Sequence, residues 1–585
     1  MLMKFISQLR KIKKTLKLCL DYYLIRSSGL FDGEWYLEKN PDVAQAGLEP
    51  VRHYLEHGGF EGRDPGPGFS SGWYLDTYED VRNSGINPLV HYLKFGRKEG
   101  RRDTRVPFHH GEEDINASLI RSSGLFDEVL YLKNNPDVVL ANTDPVLHYL
   151  NHGGFEGRDP GTDFSNGWYL DTYEDVRNSG INPLVHYLKY GRKQGRKAHP
   201  PIFKLGRIYD YCRETNSMFF EDVPERIYLR RPNILGNFLG DLEQGEALCP
   251  PAYVSVLKHV VIFGGSPLVI TSEGLVLDDE LADFNGGEFG KKSTLVKLLQ
   301  GSSVMLDYDK KPSLQIKEGV LLSCGHDNNY FHWLVECLPK LVLIDELDDL
   351  KQFKDVPLLI PSGLHRNLET ALKRININDR QLIHLEPNAA CRVERLIFPS
   401  ALSRIIDRYQ GSPVFDVDIV LSHKWISKVG QGLKKDRQSD QIPWRKLFLS
   451  RKKGLRALGN LEELEFLLLR QGFQIIDLEN MSLDFQIELF SQASLIVAPT
   501  GAALTNMLFC RPGTKVVVLM SNHEVTNYYL WSTLSDITNL DVTIIAGSRL
   551  FNLTNYWSVH DDYVIDPNIL LDVIKQSVHT PLSME

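Results

Sequence analysis

A near-perfect internal duplication restricts what the first third of this chain can fold into. The segment Gly72–Lys94 returns unchanged as Gly167–Lys189, and the whole duplication pairs Ser27–Arg102 with Ser122–Lys197. Each copy is itself double, because a Phe-x-x-x-Trp-Tyr-Leu pattern occurs twice within residues 31–75, so the region holds four units of about 38 residues. A unit this short cannot bury an apolar face alone, and such repeats pack on their neighbours.

Each unit predicts two short helices. In the first unit WYLEKNPDV forms one, and Pro50–Leu55 forms the other with proline at a favoured helix start. His53 and His57, like their copies His148 and His152, have the four-residue spacing that can place two metal ligands on one helix face. No acid or cysteine stands at a fixed distance from these pairs, so histidines packed against tyrosines are the better interpretation. We predict an all-α repeat region with an interaction or positioning role.

The rest of the chain has a different pattern and is too long for a single core. From residue 202 onward, apolar runs such as Val260–Phe263 and Glu394–Pro399 alternate with amphipathic helices. This alternation predicts an α/β fold with two Rossmann-like halves. The predicted segments are 1–25 (a basic amphipathic helix), 26–102 (repeat pair 1), 103–120 (a linker), 121–197 (repeat pair 2), 202–430 (an N-terminal, acceptor-side half) and 440–585 (a C-terminal, nucleotide-sugar-side half).

Composition and the first residues bear on location and partners. The net charge of −9 argues against a nucleic-acid partner. Seven scattered cysteines without a CxxC pair are typical of a reducing compartment and offer neither a disulfide framework nor a zinc site. Six basic residues and no acid precede Asp21, with apolar residues at helical spacing. We expect a cytoplasmic protein, peripheral at the inner face of the plasma membrane, although this helix could equally dock on its own protein.

The stretch Ser494–Met520 predicts a compact βαβ unit. An apolar run over Leu495–Ala498 leads into the small residues Pro499-Thr500-Gly501-Ala502-Ala503, a helix-compatible run follows, and Val516–Leu519 forms a second buried strand. A tight turn before a helix leaves free backbone N–H groups that can hold a phosphate. The alternative is that these residues are small only so that the helix can pack on the sheet.

A second candidate segment is Cys324–Leu341. His332 and Glu336 lie four residues apart on one helix face, and a histidine with a carboxylate can form a general base with its orienting partner. Polar and aromatic residues crowd the same region. The alternative is a helix capped by Asp327 or Asn328 with a buried, hydrogen-bonded His332. The acceptor-side candidates are His326, Asp327, Asn329 and Trp333.

A third candidate is Lys446–Asn460, in which a short strand delivers Ser450-Arg451-Lys452-Lys453 at its C-terminal end. Ligands bind at that edge of open α/β sheets, and arginine and lysine there suit a diphosphate. A solvated basic loop is the alternative.

These motifs stand in an order that resembles glycosyltransferase family 61. The resemblance runs from about Gly319 to Leu519 and includes NYFHWLVECLPKL, the Ser450-Arg451 pair, LEEL, GFQIIDLE and IVAPTGAALTN. The first of these motifs is similar to bacterial, capsular-polysaccharide-type members. The repeats resemble modules found beside bacterial polysaccharide-synthesis glycosyltransferases.

The resemblance implies a GT-B-type fold and inverting transfer from a nucleotide sugar, with no metal and no other cofactor. By position, it places His332 and Glu336 toward the acceptor cleft. The residues that it places on the donor side are Ser450, Arg451, Glu479, Ser482, Gln486, Thr500, Gly501, Ala502, Ala503, Leu504 and Asn506. Many eukaryotic members read PHGAGL where this chain has Pro499–Leu504, so any role of that histidine is absent here; Thr500 can donate a hydrogen bond but cannot act as a base near neutral pH.

The resulting hypothesis is single-displacement transfer from a nucleotide-diphosphate sugar to a hydroxyl of a glycan or glycolipid in capsule or exopolysaccharide synthesis. Glu336 or His332 is the base, and Arg451, Lys452 and the turn's N–H groups meet the leaving charge. A membrane surface and a protein partner for the repeats are the other expected partners. Two rivals stay open: a metal-dependent GT-A transferase using Asp307 and Asp309, and a non-catalytic scaffold with a degenerate transferase body.

Overall fold

The computed structural model describes most of the chain, which forms two compact units, Met1–Pro200 and Pro201–Glu585. The described residues are 21–22, 24–26, 28–46, 48–97, 101, 110–140, 143–238, 242–283, 295–308, 312–406, 414–434, 442–451, 455–550 and 560–579. Most of the predicted N-terminal basic helix lies outside these residues, as do Lys452 and Asp309. None of the described helices is both long and apolar enough to cross a membrane.

The first unit is built from short helices. They are α1 (Gly33–Lys39), α2 (Pro41–Gln45), α3 (Pro50–His53), α4 (Ser71–Thr77), α5 (Glu79–Ser84), α6 (Pro88–His91), α7 (His110–Ser122), α8 (Glu128–Asn134), α9 (Pro136–Leu140), α10 (Pro145–His148), α11 (Asn166–Thr172), α12 (Glu174–Ser179) and α13 (Pro183–His186). Each of α3, α6, α10 and α13 starts with proline and continues into a π-helical turn that ends at glycine.

One tyrosine–histidine contact recurs in all four sequence repeats and gives these histidines a structural role. The tyrosine hydroxyl and the histidine Nδ1 are 3.0 Å apart in Tyr36–His53, 3.3 Å in Tyr74–His91, 2.9 Å in Tyr131–His148 and 3.1 Å in Tyr169–His186. A Cβ on Gly58 would lie 2.0 Å from the Tyr36 hydroxyl, so only glycine allows this approach. The prediction of structural histidines packed against tyrosines is confirmed.

The predicted linker 103–120 differs from the structure. Residues 110–120 belong to α7, whose Ala117 and Ile120 are buried in the core of the second repeat pair. The acidic sequence at the start of α7 resembles a solvated linker, but the apolar residues in its second half pack in that core.

The second unit is mixed α/β. Its first part comprises β1 (Ile202–Gly206), α14 (Ile208–Glu214), β2 (Met218–Glu221), β3 (Arg226–Leu229), β4 (Asn233–Gly236), β5 (Gly245–Leu248), β6 (Tyr253–Phe263), β7 (Val269–Ile270), β8 (Leu275–Leu277), α15 (Asp279–Asp283), β9 (Val296–Gln300), β10 (Ser303–Leu306), β11 (Leu314–Leu321), α16 (Tyr330–His332), α17 (Leu338–Glu346), β12 (Leu358–Pro361), α18 (Arg366–Ile375), β13 (Leu382–Leu385), β14 (Ala390–Pro399), β15 (Arg404–Ile405), β16 (Ile419–Val420) and α19 (His423–Lys434). A π-helical turn, Trp333–Cys337, joins α16 to α17, and Asp348–Phe353 is a 3₁₀ helix.

The remainder continues with β17 (Arg445–Leu449), α20 (Leu461–Arg470), β18 (Gln474–Ile476), α21 (Leu483–Ser491), β19 (Ala493–Pro499), a 3₁₀ helix over Ala502–Phe509, β20 (Lys515–Ser521), α22 (Tyr529–Thr538), β21 (Asp541–Arg549), β22 (Tyr563–Val564) and α23 (Pro567–His579). The predicted strands on both sides of the Thr500 turn are therefore present, and β19 pairs in parallel with β20. The helix between them is 3₁₀ rather than α.

The two large sheets have different topologies. The C-terminal sheet runs β18-β17-β19-β20-β21 with every pair parallel, as expected of a Rossmann-type half. The N-terminal sheet is mixed: β13, β12, β11 and β14 are parallel, but β14 pairs antiparallel with the long strand β6. An α/β fold is confirmed, but the first half is not a parallel Rossmann sheet. The GT-B pairing stays a prediction.

The two sheets are joined through a strand and a core. Strand β4, which comes from the N-terminal part, adds in parallel to the edge strand β21. One hydrophobic cluster contains Val254 and Leu341 from the first part together with Leu447, Met507 and Ile544 from the second. This shared core holds the two sheet edges, and the residues that follow their strands, in fixed positions.

Candidate active site

An open cleft in the second unit brings together segments that are far apart in sequence. Its cavity volume is about 210 Å³. Its lining comes from the start of α16, the turn after β19, the segment after β20 and single residues elsewhere: Asn329, Phe331, His332, Ile405, Ile406, Asp418, Ile419, Arg456, Thr500, Gly501, Ala502, Met520, Ser521, Val525, Thr526, Asn527, Leu530, Trp531 and His560. The predicted base helix and the predicted phosphate turn therefore face one space.

His332 and Glu336 form a close pair at this cleft. Nδ1 of His332 lies 2.5 Å from Oε2 of Glu336, and their side chains are 11% and 4% exposed. Asn329 begins the helix by accepting a hydrogen bond from the Phe331 N–H at 2.9 Å. Only His332 of the pair lines the cleft, and because Glu336 occupies Nδ1, Nε2 is the nitrogen left for a ligand. The geometry therefore distinguishes a cleft-facing imidazole from the carboxylate behind it, which the sequence left open.

The turn after β19 is restrained through all the polar atoms of Thr500. Its N–H donates to the Leu519 carbonyl at 2.9 Å, and its carbonyl accepts from Arg451 Nη1 at 3.1 Å. Its hydroxyl accepts from Trp531 Nε1 at 2.9 Å. A Cβ on Gly501 would lie 3.0 Å from Arg451 Nη1, so this guanidinium leaves little room for a side chain. Thr500, Gly501 and Ala502 form part of the cleft lining, as predicted for the turn.

Arg451 supports the turn but is not part of the cleft lining. Besides the Thr500 carbonyl, its guanidinium donates to the carbonyls of Leu455 and Arg456, both at 2.6 Å. Burial lowers the pKa of Arg451. The neighbouring Ser450 donates to a Glu465 carboxylate oxygen at 2.6 Å. The two predicted donor contacts therefore hold the protein's own loop.

Arg456 is the cation that lines the cleft, and it was not predicted. Its Nε is buried and has no hydrogen-bond partner among the described residues. Its backbone has a φ of +58° and donates to the His560 carbonyl at 3.0 Å. A non-glycine residue in this left-handed conformation is uncommon and is held by its surroundings. The sequence signal available was only a fourth basic residue in the same loop.

Several other predicted donor residues do not line the cleft. Asn506 is 1% exposed: its Oδ1 accepts from the Tyr330 hydroxyl at 2.8 Å, and its Nδ2 donates to Gln486 Oε1 at 3.0 Å. Gln486 in turn donates to the carbonyls of Leu478 and Met481. These side chains tie the start of α16 to the turn and to α21. Ala503 accepts from Asn506 through its carbonyl, Ser482 caps α21, Leu504 is buried in the core, and Glu479 is exposed.

The predicted acceptor-side residues border a second, polar groove. Its cavity volume is about 320 Å³, and it is lined by Gly264, Gly265, Gly325, His326, Asp327, Asn328, Asn329, Pro361, Ser362, Pro387 and Asn388. Asn329 lines both the groove and the cleft. The ring of His326 lies 4.9 Å from that of His332. Trp333 differs from the prediction, because it is fully buried and its indole N–H donates to the Leu368 carbonyl at 3.1 Å.

Two sets of residues bear on metal binding. Cys324, Asp327 and Cys337 bring their ligand atoms within 4.8 Å of one another, all buried. The carboxylate of Asp327 already accepts from the Ser323 hydroxyl and the Cys324 N–H, both at 2.7 Å, which gives it a structural use. Asp307 of the rival D-x-D motif lies 3.4 Å from Lys297 Nζ and does not line the cleft. The expectation of no metal stays a prediction.

One protein-family model matches part of the second unit. Residues 330–517 match the model of the family described as Glycosyltransferase 61, which supports a member of that family. Because the family consists of glycosyltransferases, the match is consistent with a transferase enzyme. No curated protein matches the chain significantly. The matched segment runs from Tyr330 at the start of α16 to Val517 in β20, so it spans the base helix and the turn.

Proposed function

We propose that the second unit is an inverting glycosyltransferase that moves a sugar from a nucleoside-diphosphate donor to a hydroxyl group of a glycan or glycolipid. The observation that carries the proposal is that one cleft is lined by His332, by the Thr500–Ala502 turn and by Arg456. A base and an anion site that face one space are the two parts that direct displacement at an anomeric carbon requires.

In the proposed reaction His332 is the base and Glu336 orients it. Nε2 of His332 takes the proton of the acceptor hydroxyl while that oxygen forms a bond to the anomeric carbon. The bond from this carbon to the phosphate oxygen breaks on the opposite face, and its electron pair leaves with the nucleoside diphosphate. The buried Glu336 carboxylate beside Nδ1 stabilises the imidazolium that forms.

The leaving charge is met by fixed protein groups. Arg456 supplies a guanidinium to the cleft, and the backbone N–H groups after Gly501 supply hydrogen-bond donors at the start of the 3₁₀ helix. Arg451 acts indirectly, because its guanidinium donates hydrogen bonds to the carbonyls of Thr500 and Arg456 and so fixes the turn and the loop. We propose that this set replaces a metal ion and that the enzyme needs no cofactor.

The polar groove beside the cleft is proposed to hold the acceptor. Its lining offers imidazole, carboxylate, amide and hydroxyl groups, which form hydrogen bonds with sugar hydroxyls. Asn329 makes it continuous with the cleft. An acceptor of this chemistry, together with the family match, favours capsule or exopolysaccharide synthesis at the inner face of a plasma membrane, with the repeats as the contact for a protein partner.

The test is a donor panel with two variants and a matched control. UDP-, GDP- and CMP-sugars are incubated with the full chain and glycan acceptors, and transfer and nucleotide release are measured. His332→Ala should lose transfer by at least about 100-fold and still bind the donor. His384→Ala, at an exposed histidine on β13, should keep wild-type activity. Full transfer by His332→Ala would contradict its assignment as the base, full transfer by Glu336→Ala would contradict the orienting role, and no nucleotide binding by the wild-type chain would favour the scaffold.

A further inference from the structure

The hydroxyl of Thr500 is in an unusual position for a buried group. Thr500 and Trp531 are 5% and 2% exposed, and both line the cleft. The indole N–H of a tryptophan can only donate, so in the 2.9 Å contact with Trp531 the threonine oxygen must be the acceptor. The hydroxyl proton therefore points away from Trp531 and needs an acceptor of its own.

Among the residues that the structure describes, no protein group provides that acceptor. Across the part of the chain that the structure describes, the contact with Trp531 is the hydrogen bond that the Thr500 hydroxyl makes. The other polar atoms of this residue are bonded to Leu519 and Arg451, so the residue cannot turn as a whole. The Thr500 hydroxyl is therefore a fixed donor that lines an open cleft and has no acceptor among the described residues. Such a donor can form a hydrogen bond with an oxygen atom of a bound ligand.

We propose that Thr500 donates this hydrogen bond to a phosphate oxygen of the bound nucleoside diphosphate and that Trp531 is the positioning residue that orients it. The inference rests on the proposed function, since the neighbouring Arg456 and the turn's N–H groups make the ligand at this wall an anion. Thr500 would thus contribute to binding the leaving group without acting as a base.

A pair of substitutions can separate this role from stability. Thr500→Val alone leaves the buried indole N–H without an acceptor, which destabilises the fold. In the double variant Thr500→Val/Trp531→Phe both partners are apolar, and such a replacement is nearly neutral for stability. Thr500→Ser keeps the hydroxyl. Thr505→Val is the matched control, because Thr505 is a fully buried threonine of the 3₁₀ helix that follows the turn, and its hydroxyl has no partner among the described residues.

The experiment is isothermal titration of the full chain with UDP, GDP and dTDP, together with thermal unfolding of each variant. For whichever nucleotide binds, the double variant should lose about tenfold or more in affinity while its unfolding temperature changes little. Thr500→Ser and Thr505→Val should bind like the wild type. Trp531→Phe alone should weaken binding, and adding it to Thr500→Val should weaken binding no further, which a purely structural tryptophan would not show.

The outcomes distinguish this inference from the proposed function. Wild-type affinity in a folded double variant overturns the Thr500 contact and leaves the transferase intact. Binding of none of the three nucleotides by the wild-type chain overturns both. If the double variant does not fold, Thr500→Ala gives the second measurement, because its smaller side chain leaves room for a water to accept from the indole; wild-type affinity in that variant also overturns the contact.

Discussion

Replacing Asn506 should destabilise the second unit, because its buried side-chain amide joins three parts of the fold. Its amide makes three hydrogen bonds, to the Tyr330 hydroxyl, Gln486 Oε1 and the Ala503 carbonyl, at 2.8, 3.0 and 3.1 Å. Burial raises the pKa of Tyr330, so its phenol stays a neutral donor. At about 0.5–1.5 kcal/mol for each bond, with buried partners left unpaired, Asn506→Ala should cost roughly 2–4 kcal/mol. Tyr330→Phe removes one bond and should cost about 1–2 kcal/mol.

The double variant tests the reasoning most sharply. Once Asn506 is alanine, the Tyr330 hydroxyl is a buried donor without a partner, so removing it as well should cost nothing further. Calorimetric unfolding temperatures of the four proteins give the cycle, on the order of 2 °C for each kcal/mol. Tyr211→Phe is the matched control, because its hydroxyl lies 3.5 Å from an exposed Glu273 carboxylate. Additive losses in the double variant would refute the buried network.

Three further outcomes are expected. Glu336→Gln should lower kcat by about 100-fold or more at an unchanged donor KM, measured by steady-state kinetics, because the amide cannot stabilise the imidazolium; an equal loss in donor affinity would contradict this role. Arg456→Ala should weaken nucleoside-diphosphate binding about tenfold or more in calorimetric titration, with Arg392→Ala, an exposed arginine on β14, as the control. Burial lowers the pKa of His148 to about 4, so the unfolded state takes up the proton first and stability should fall as the pH drops from about 6.5 toward 4. Protection factors at the amides of residues 145–153, which are corrected for the slower intrinsic exchange at lower pH, should therefore fall more over this range in the wild type than in His148→Asn, and equal pH dependence would count against it.

The parts of the site that the sequence predicted are those carried by local patterns. The apolar runs around Thr500 predicted two buried strands and the turn between them, and the spacing of His332 and Glu336 predicted their contact. Both depend on residues a few positions apart, whose geometry follows from the strand and the helix alone.

The missing parts depend on which residues meet across the fold. Trp531 lies 31 positions from Thr500, and Arg456 reaches the cleft through a left-handed backbone conformation that no periodicity indicates. The family resemblance places Asn506 on the donor side by its position in the motif. In the structure it is buried, and a buried amide must be paired, so it bonds to Tyr330 and Gln486 instead.

Strand β4 has a consequence for how the second unit folds. The side chain of Asn233 in β4 donates a hydrogen bond to the hydroxyl of Thr543, which lies 310 residues later in the sequence. The other strands of the sheet that β4 joins all follow residue 444. During synthesis β4 therefore cannot pair with β21 until nearly the whole chain has been made. Contacts between residues so far apart in sequence form slowly. A fragment that begins at residue 440 would leave the apolar edge of β21 uncovered over Thr543–Ala546, which favours self-association. Residues 201–585 form the compact unit that contains the cleft, so a fragment designed to keep the cleft should include both β4 and β21.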